Sequence, residues 1–107
     1  MAYAGRVAAL MVCALPAVAL AAEPAGDRRQ ELVHLLRHDC GSCHGLTMKG
    51  GLGPPLLPEA LAGKDDEMLI EAILDGRPGT PMPPWRPQLT ESEAAWLVDV
   101  LRAGPPQ

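Results

Sequence analysis

The chain of 107 residues has no phenylalanine, one tyrosine and two tryptophans, so aromatic residues make up only 3% of it. Large rings normally supply much of the buried area in a core, and a domain this small has little else to draw on. Cysteine is scarce too: Cys13, Cys40 and Cys43. A disulfide between Cys40 and Cys43 would close a tiny loop and restrain little of the chain. Basic residues are outnumbered, 9 against 13 acidic, for a formal net charge of −4. That balance excludes nucleic acid as the main partner, because phosphate contacts need lysine and arginine. No alternating strand pattern and no internal repeat is present. The length allows one domain and excludes an enzyme with separate cofactor and substrate domains.

Residues 1–21 read as a leader outside the fold. Arg6 precedes an uncharged run from Val7 to Ala22 that is short for a membrane span. The run ends in small residues, and Ala19-Leu20-Ala21 fits the small-x-small cleavage rule, with cleavage after Ala21. Cys13 lies too deep in the apolar run, and after Val12, to suit a lipoprotein. Removing residues 1–21, which hold one arginine and no acid, moves the net charge to −5 and leaves two cysteines. The leader marks the mature domain as exported, with no membrane anchor expected after cleavage.

Proline and glycine, 12 and 11 in the whole chain with all but Pro16 and Gly5 beyond the leader, divide the rest into short helices and long loops. Residues 22–26 read as a flexible lead-in to a domain over 27–107. A first helix is expected from Asp27 to about Asp39, with Asp27 as N-cap, Gln30 as its capping partner and an apolar stripe through Leu32, Val33, Leu35 and Leu36. A turn of helix fits Pro58–Ala62. A second helix fits Asp65–Asp75, with Met68, Leu69, Ala72 and Ile73 on its buried face and Gly76 after its end. The third starts at Thr90, with Glu93 completing a capping box, and ends at Gly104-Pro105-Pro106. The fold class is therefore all-α. Loops this long and stiff in so small a domain are there to hold something.

What they hold is read from Cys40-Gly41-Ser42-Cys43-His44, which is C-x-x-C-H, the attachment signature of c-type haem. Two thiols three residues apart reach the two vinyl groups on one porphyrin edge, and the adjacent imidazole meets the iron. A redox dithiol would favour a strand-containing βαβ setting. A structural zinc site would need further ligands at tetrahedral spacing, which His34 and His38 do not supply. One covalent haem c, attached through Cys40 and Cys43, also replaces the missing aromatic core.

A six-coordinate iron needs a ligand opposite His44. Met68 fits a helix core, and Met48 lies only four residues past His44. His34 and His38 share a helix with Cys40 and read as surface residues. Met82 remains, in a loop stiffened by Pro81, Pro83 and Pro84 and 38 residues beyond His44. His/Met ligation gives a raised reduction potential.

The C-x-x-C-H motif, the Gly53-Pro54-Pro55-Leu56 segment, the Met-Pro loop and a final helix carrying Trp96-Leu97 resemble a class I cytochrome c over the whole mature chain. The resemblance implies a small cytochrome c fold whose first and last helices cross beside the haem. It implies that the Pro54 carbonyl orients the imidazole of His44 and that Trp85 covers the haem edge on the Met82 side. Leu32 and Leu36 stand where the family has glycine and phenylalanine, which implies a wider crossing. The stretches DCGSCHGLTMKGGLGPPL and GRPGTPMPPWRPQLTESEA are similar to small periplasmic cytochromes of the NirC type, encoded with cytochrome cd nitrite reductase. This implies a non-enzymatic, monomeric one-electron carrier in denitrification with that reductase as redox partner, or a factor in the maturation of its haem d. An open-site sensor or catalytic haem ranks last, since no acid–base pair flanks the Met82 loop. The acidic surface suits a salt-sensitive encounter with a basic patch, or solubility alone.

If the haem stands in for the core, a Cys40→Ala, Cys43→Ala variant is expected to be unfolded or molten. Far-UV circular dichroism checks this: a native-like helical spectrum would count against it.

Overall fold

The computed structural model describes residues 2–5, 7–15 and 23–106, and among them every regular element is helical. The proposed cleavage point at Ala19–Ala21 lies outside the described residues. No helix among the described residues is long and apolar enough to cross a membrane. In chain order the elements are α1 (Gly26–Leu35), a π-helical turn (Leu36–Cys40), α2 (Gly41–His44), α3 (Pro58–Leu61), α4 (Asp66–Asp75) and α5 (Glu91–Ala103).

The first helix departs from the sequence expectation at both ends. Ala25 is the N-cap, in an extended conformation and without a side-chain capping bond. Asp27 therefore lies in the first turn rather than at the cap, where its charge still faces the positive end of the helix dipole. At the other end the helix does not stop near Asp39. The π turn carries it on, and Leu35, Leu36, Cys40 and Gly41 all keep right-handed helical backbone angles. The cysteine pair and His44 thus sit within the last turns of one continuous helical run. A π turn inserts a residue and rotates everything after it, and such turns concentrate at functional sites.

Helix α4 begins one residue after Asp65, which takes the N-cap position. Its buried face is also shifted. Leu74 is buried, and Leu69, Ile70 and Ile73 pack against the core, while Met68 is 40% exposed. At 100° per residue, 69, 70, 73 and 74 share one side of the helix and 68 points the opposite way. Helix α5 matches expectation: the Thr90 hydroxyl accepts the Glu93 N–H at 3.2 Å, and the Glu93 carboxylate accepts the Thr90 N–H at 2.9 Å. Helix α3 ends at Leu61, one residue short of Ala62.

One apolar cluster joins Leu32 and Leu36 with Met48, Leu61, Leu74, Leu89, Ala94, Leu97 and Leu101. No aromatic side chain is fully buried in it; Trp85 and Trp96 pack at its margin. Helix α5 lies closest to α4 along its backbone. It meets α1 through side chains: Arg28 to the Glu93 carboxylate, and the Arg29 guanidinium over the Trp96 ring at 5.7 Å. At the other end of α5, Arg102 donates to Asp66 at 2.7 Å and to the Leu61 carbonyl at 3.1 Å, tying in the turn between α3 and α4.

Glu93 does two jobs. It caps α5 and binds Arg28, and its side chain is only 14% exposed. Hydrogen bonding from Arg28, against a smaller opposing effect of burial, lowers its pKa from 4.5 to about 2. A depressed folded-state pKa contributes stability that is full above about pH 4.5 and is lost as pH falls toward 2. Glu93→Gln is expected to cost about 1–3 kcal/mol at neutral pH. It should also flatten the acid limb, and urea titrations from pH 6 to pH 3 check both effects.

Candidate functional site

Helix α2 ends at His44 with Gly45 as its C-cap, and the loop after it doubles back beneath His44. The Cys43 carbonyl accepts the Gly53 N–H at 2.7 Å and the His44 carbonyl accepts the Gly50 N–H at 2.8 Å. These carbonyls have no partner within their own helix, so the loop supplies one. The Met48 N–H then reaches the Gly45 carbonyl and the Leu56 N–H the Met48 carbonyl, both at 2.9 Å. The returning strand of loop brings the Pro54 carbonyl to 2.7 Å from His44 Nδ1.

That contact decides the state of the imidazole. A carbonyl oxygen only accepts, so Nδ1 carries the proton, and in the neutral ring the Nε2 lone pair is left free for a metal. His44 is 9% exposed. Gly53 holds it from the side: a Cβ there would lie 2.8 Å from both Nδ1 and Cε1 of the ring, closer than real contacts allow. The glycine before Pro54 is thus required by close approach.

Cys40 and Cys43 are unpaired and half-buried on the same helical run. Burial, with the Asp39 carboxylate next, pushes the Cys40 thiol up to about 11. A raised pKa disfavours the thiolate, so Cys40 lacks the activation of a thiol–disulfide exchange nucleophile. Zinc is no better served, since no group of three or more His, Cys, Asp or Glu converges among the described residues.

Met82 is half-buried in the loop between α4 and α5, and Trp85 is half-buried against the apolar cluster. The Trp85 N–H donates to the Ile73 carbonyl at 3.0 Å, which fixes that end of the loop to α4. Met48 is 2% exposed inside the apolar cluster, with a positive φ of 59°. Sequence reasoning missed this core role, and nothing in residue order signals a left-handed methionine. It also missed the packing of Gly53 on the ring, for which the Gly-Pro step was the available signal. His34 and His38 are exposed, as expected, with ring centroids 4.3 Å apart. The shallow concavity they line on the outer face of α1 includes none of Cys40, Cys43, His44 or Met82.

Two free thiols beside an imidazole with a free Nε2, a backbone cradle with no room for a Cβ, and a core short of rings form a donor set that fits haem c. This is the arrangement of a c-type cytochrome. The family described as cytochrome c oxidase, cbb3-type, subunit III matches residues 27–100. Cytochrome c55X of Paracoccus denitrificans is 56% identical over 87% of this chain and 90% of its own length. Cytochrome c55X of Pseudomonas aeruginosa is 53% identical over 92% of this chain and 82% of its own. Among solved structures, a c-type cytochrome NirC is 56% identical, covering 75% of this chain and 94% of that one, with a TM-score of 0.73. The chain belongs to the NirC-type mono-haem cytochromes c, an electron-carrier family rather than an enzyme family. Its fold is the small all-α cytochrome c fold, and haem c is the cofactor that membership implies. A dihydro-heme d1 dehydrogenase of Pseudomonas aeruginosa is also similar, 40% identical over 87% of this chain but only 18% of that protein.

Gly53→Ala is expected to displace the His44 ring from Pro54 and to cost about 1–3 kcal/mol through overpacking. Thermal melting of the haem-loaded protein gives the cost, and the nitrogen chemical shifts of His44 report whether the Nδ1 hydrogen bond survives.

Proposed function

We propose that this protein is a periplasmic one-electron carrier with a single haem c bound covalently through Cys40 and Cys43. In this reading residues 1–21 are its export leader, His44 and Met82 are the axial ligands, and Trp85 borders the haem on the Met82 side. The observation that carries it is the 2.7 Å contact between His44 Nδ1 and the Pro54 carbonyl, which leaves Nε2 as the free donor beside two unpaired thiols. When bound, the haem supplies the one-electron ferrous–ferric chemistry.

Each residue of the site has a definite task. Cys40 and Cys43 anchor the group covalently, so that it is not lost from a small core. Pro54 fixes the imidazole tautomer and its orientation, a contact of the kind that tunes ligand basicity. Met82, as a thioether, favours the reduced state and raises the potential. Met48 is the rival sulfur, but it is enclosed by the apolar cluster on the chain segment just after His44. The redox partner is cytochrome cd nitrite reductase, met by a monomeric carrier in a salt-sensitive encounter that the acidic net charge, −5 once residues 1–21 are removed, supports.

A second reading is favoured by one specific finding. The dihydro-heme d1 dehydrogenase contains a segment 40% identical to this chain, and the solved NirN in complex with DHE matches at 42% identity with a TM-score of 0.62. In this reading a chain so similar to part of that enzyme serves maturation of the reductase's haem d in place of electron delivery to it.

Visible spectra of the oxidised, reduced and CO-treated protein test the ligand set. A c-type haem with the ferric methionine–iron charge-transfer band and no CO binding is expected. Met82→Ala should abolish the band and admit CO. Rapid CO binding by the unmodified protein would sink the His44/Met82 assignment. If Met82→Ala cells still produce a reductase replete with haem d, while the variant fails to reduce that enzyme, the maturation reading stands.

A further inference from the structure

The loop that carries Met82 is held at its neck by one ion pair. Helix α4 ends at Asp75, and Gly76 turns the chain with φ of 67°. A Cβ on Gly76 would lie 2.7 Å from the Met82 carbonyl oxygen, 2.8 Å from Pro83 C and 2.9 Å from Pro84 N. The outgoing and returning limbs are therefore in direct contact here. Inside the loop the Met82 carbonyl accepts the Arg77 N–H at 3.3 Å. The Thr80 hydroxyl donates to the Arg77 carbonyl at 2.6 Å and accepts the Met82 N–H at 3.4 Å. On the return, the Arg86 N–H meets the Leu74 carbonyl at 2.9 Å, next to the Trp85 bond to Ile73. Both bonds go to carbonyls that the end of α4 leaves without helical partners.

The neck is closed by side chains. Arg86 Nε donates to Asp75 Oδ1 at 2.8 Å and Nη2 to Oδ2 at 2.9 Å. This is the planar two-bond fork that lysine cannot reproduce. It is the only ion pair among the described residues that touches residues 75–89. An exposed pair ordinarily adds little to global stability. Here its position matters more, because it joins the last residue of α4 to the first residue after Trp85 and shuts the loop between them.

We infer that Asp75 and Arg86 form a clasp that keeps the Met82 loop closed and so governs how readily an outside ligand displaces Met82 from the iron. They are positioning residues: they act through the loop backbone. The inference rests on the reading of Met82 as axial ligand. With the neck shut, Met82 is presented by a loop of few conformations, and withdrawal of the loop backbone from the iron would break the Trp85 and Arg86 backbone bonds as well. With the neck open, the loop can move as a unit.

Imidazole is the probe, titrated against the ferric haem-loaded protein while the methionine–iron band is followed. Asp75→Asn and Arg86→Lys are each expected to tighten imidazole binding at least about threefold. The charge-swapped double variant Asp75→Arg, Arg86→Asp should recover part of that change. Arg102→Lys, which loosens a different ion pair at the far end of α5, serves as the control and should lower the melting temperature without changing imidazole affinity. Unchanged affinity in Asp75→Asn and Arg86→Lys, or an equal change in Arg102→Lys, overturns the clasp. Failure of the underlying reading looks different: the band is missing from the unmodified protein or survives in Met82→Ala, which overturns the ligand assignment and the clasp together.

Discussion

The hydrogen bond from His44 to the Pro54 carbonyl organises the first half of the molecule. For a carbonyl to stand 2.7 Å from that ring, the chain after α2 must turn back under the helix it has just left. It does so by giving its own N–H groups to the carbonyls of Cys43 and His44. The return passes so close to the imidazole that residue 53 has no space for a side chain. The ring that results is buried, single in its hydrogen bonding and open at Nε2. An imidazole so fixed would hold its orientation toward a metal at Nε2, as the proposed function requires.

The second half solves a different problem with the same means. Met82, the proposed second ligand, has a flexible side chain, so the protein's control over it lies in the backbone that presents it. Prolines at 81, 83 and 84 restrict the loop, and α4 anchors its returning limb through the carbonyls of Ile73 and Leu74. The two loops thus depend on helix ends, α2 for the histidine and α4 for the methionine. Unsatisfied carbonyls at those ends act as fixed points to which loops are tied. This explains how a chain with so few large side chains holds two long irregular segments in place.

Much of this was legible in residue order. The Thr90–Glu93 capping box, the acidic start of α4 and the glycine and proline breaks are local signals, and the structure has them where expected. The attachment motif is local as well, because two thiols and an imidazole must lie within one helical turn or two. The departures are equally physical. The helix running on through His44 depends on a π turn, which has no compositional mark. The outward side of Met68 comes from which stripe of α4 meets α5, a choice made by packing. Met48 sits in the core in a left-handed conformation that its residue type disfavours.

The sequence by itself determined the class of protein, since a short chain with one C-x-x-C-H, hardly any aromatic residues and a proline-bound methionine has few other uses. It also determined the helical fold, through spacing and caps that act over three or four residues. Only the tertiary structure decided the contact that forbids a side chain at Gly53 and the meeting of Asp75 with Arg86. Those depend on groups well separated along the chain being brought into direct contact, and no local propensity encodes a distance across a loop.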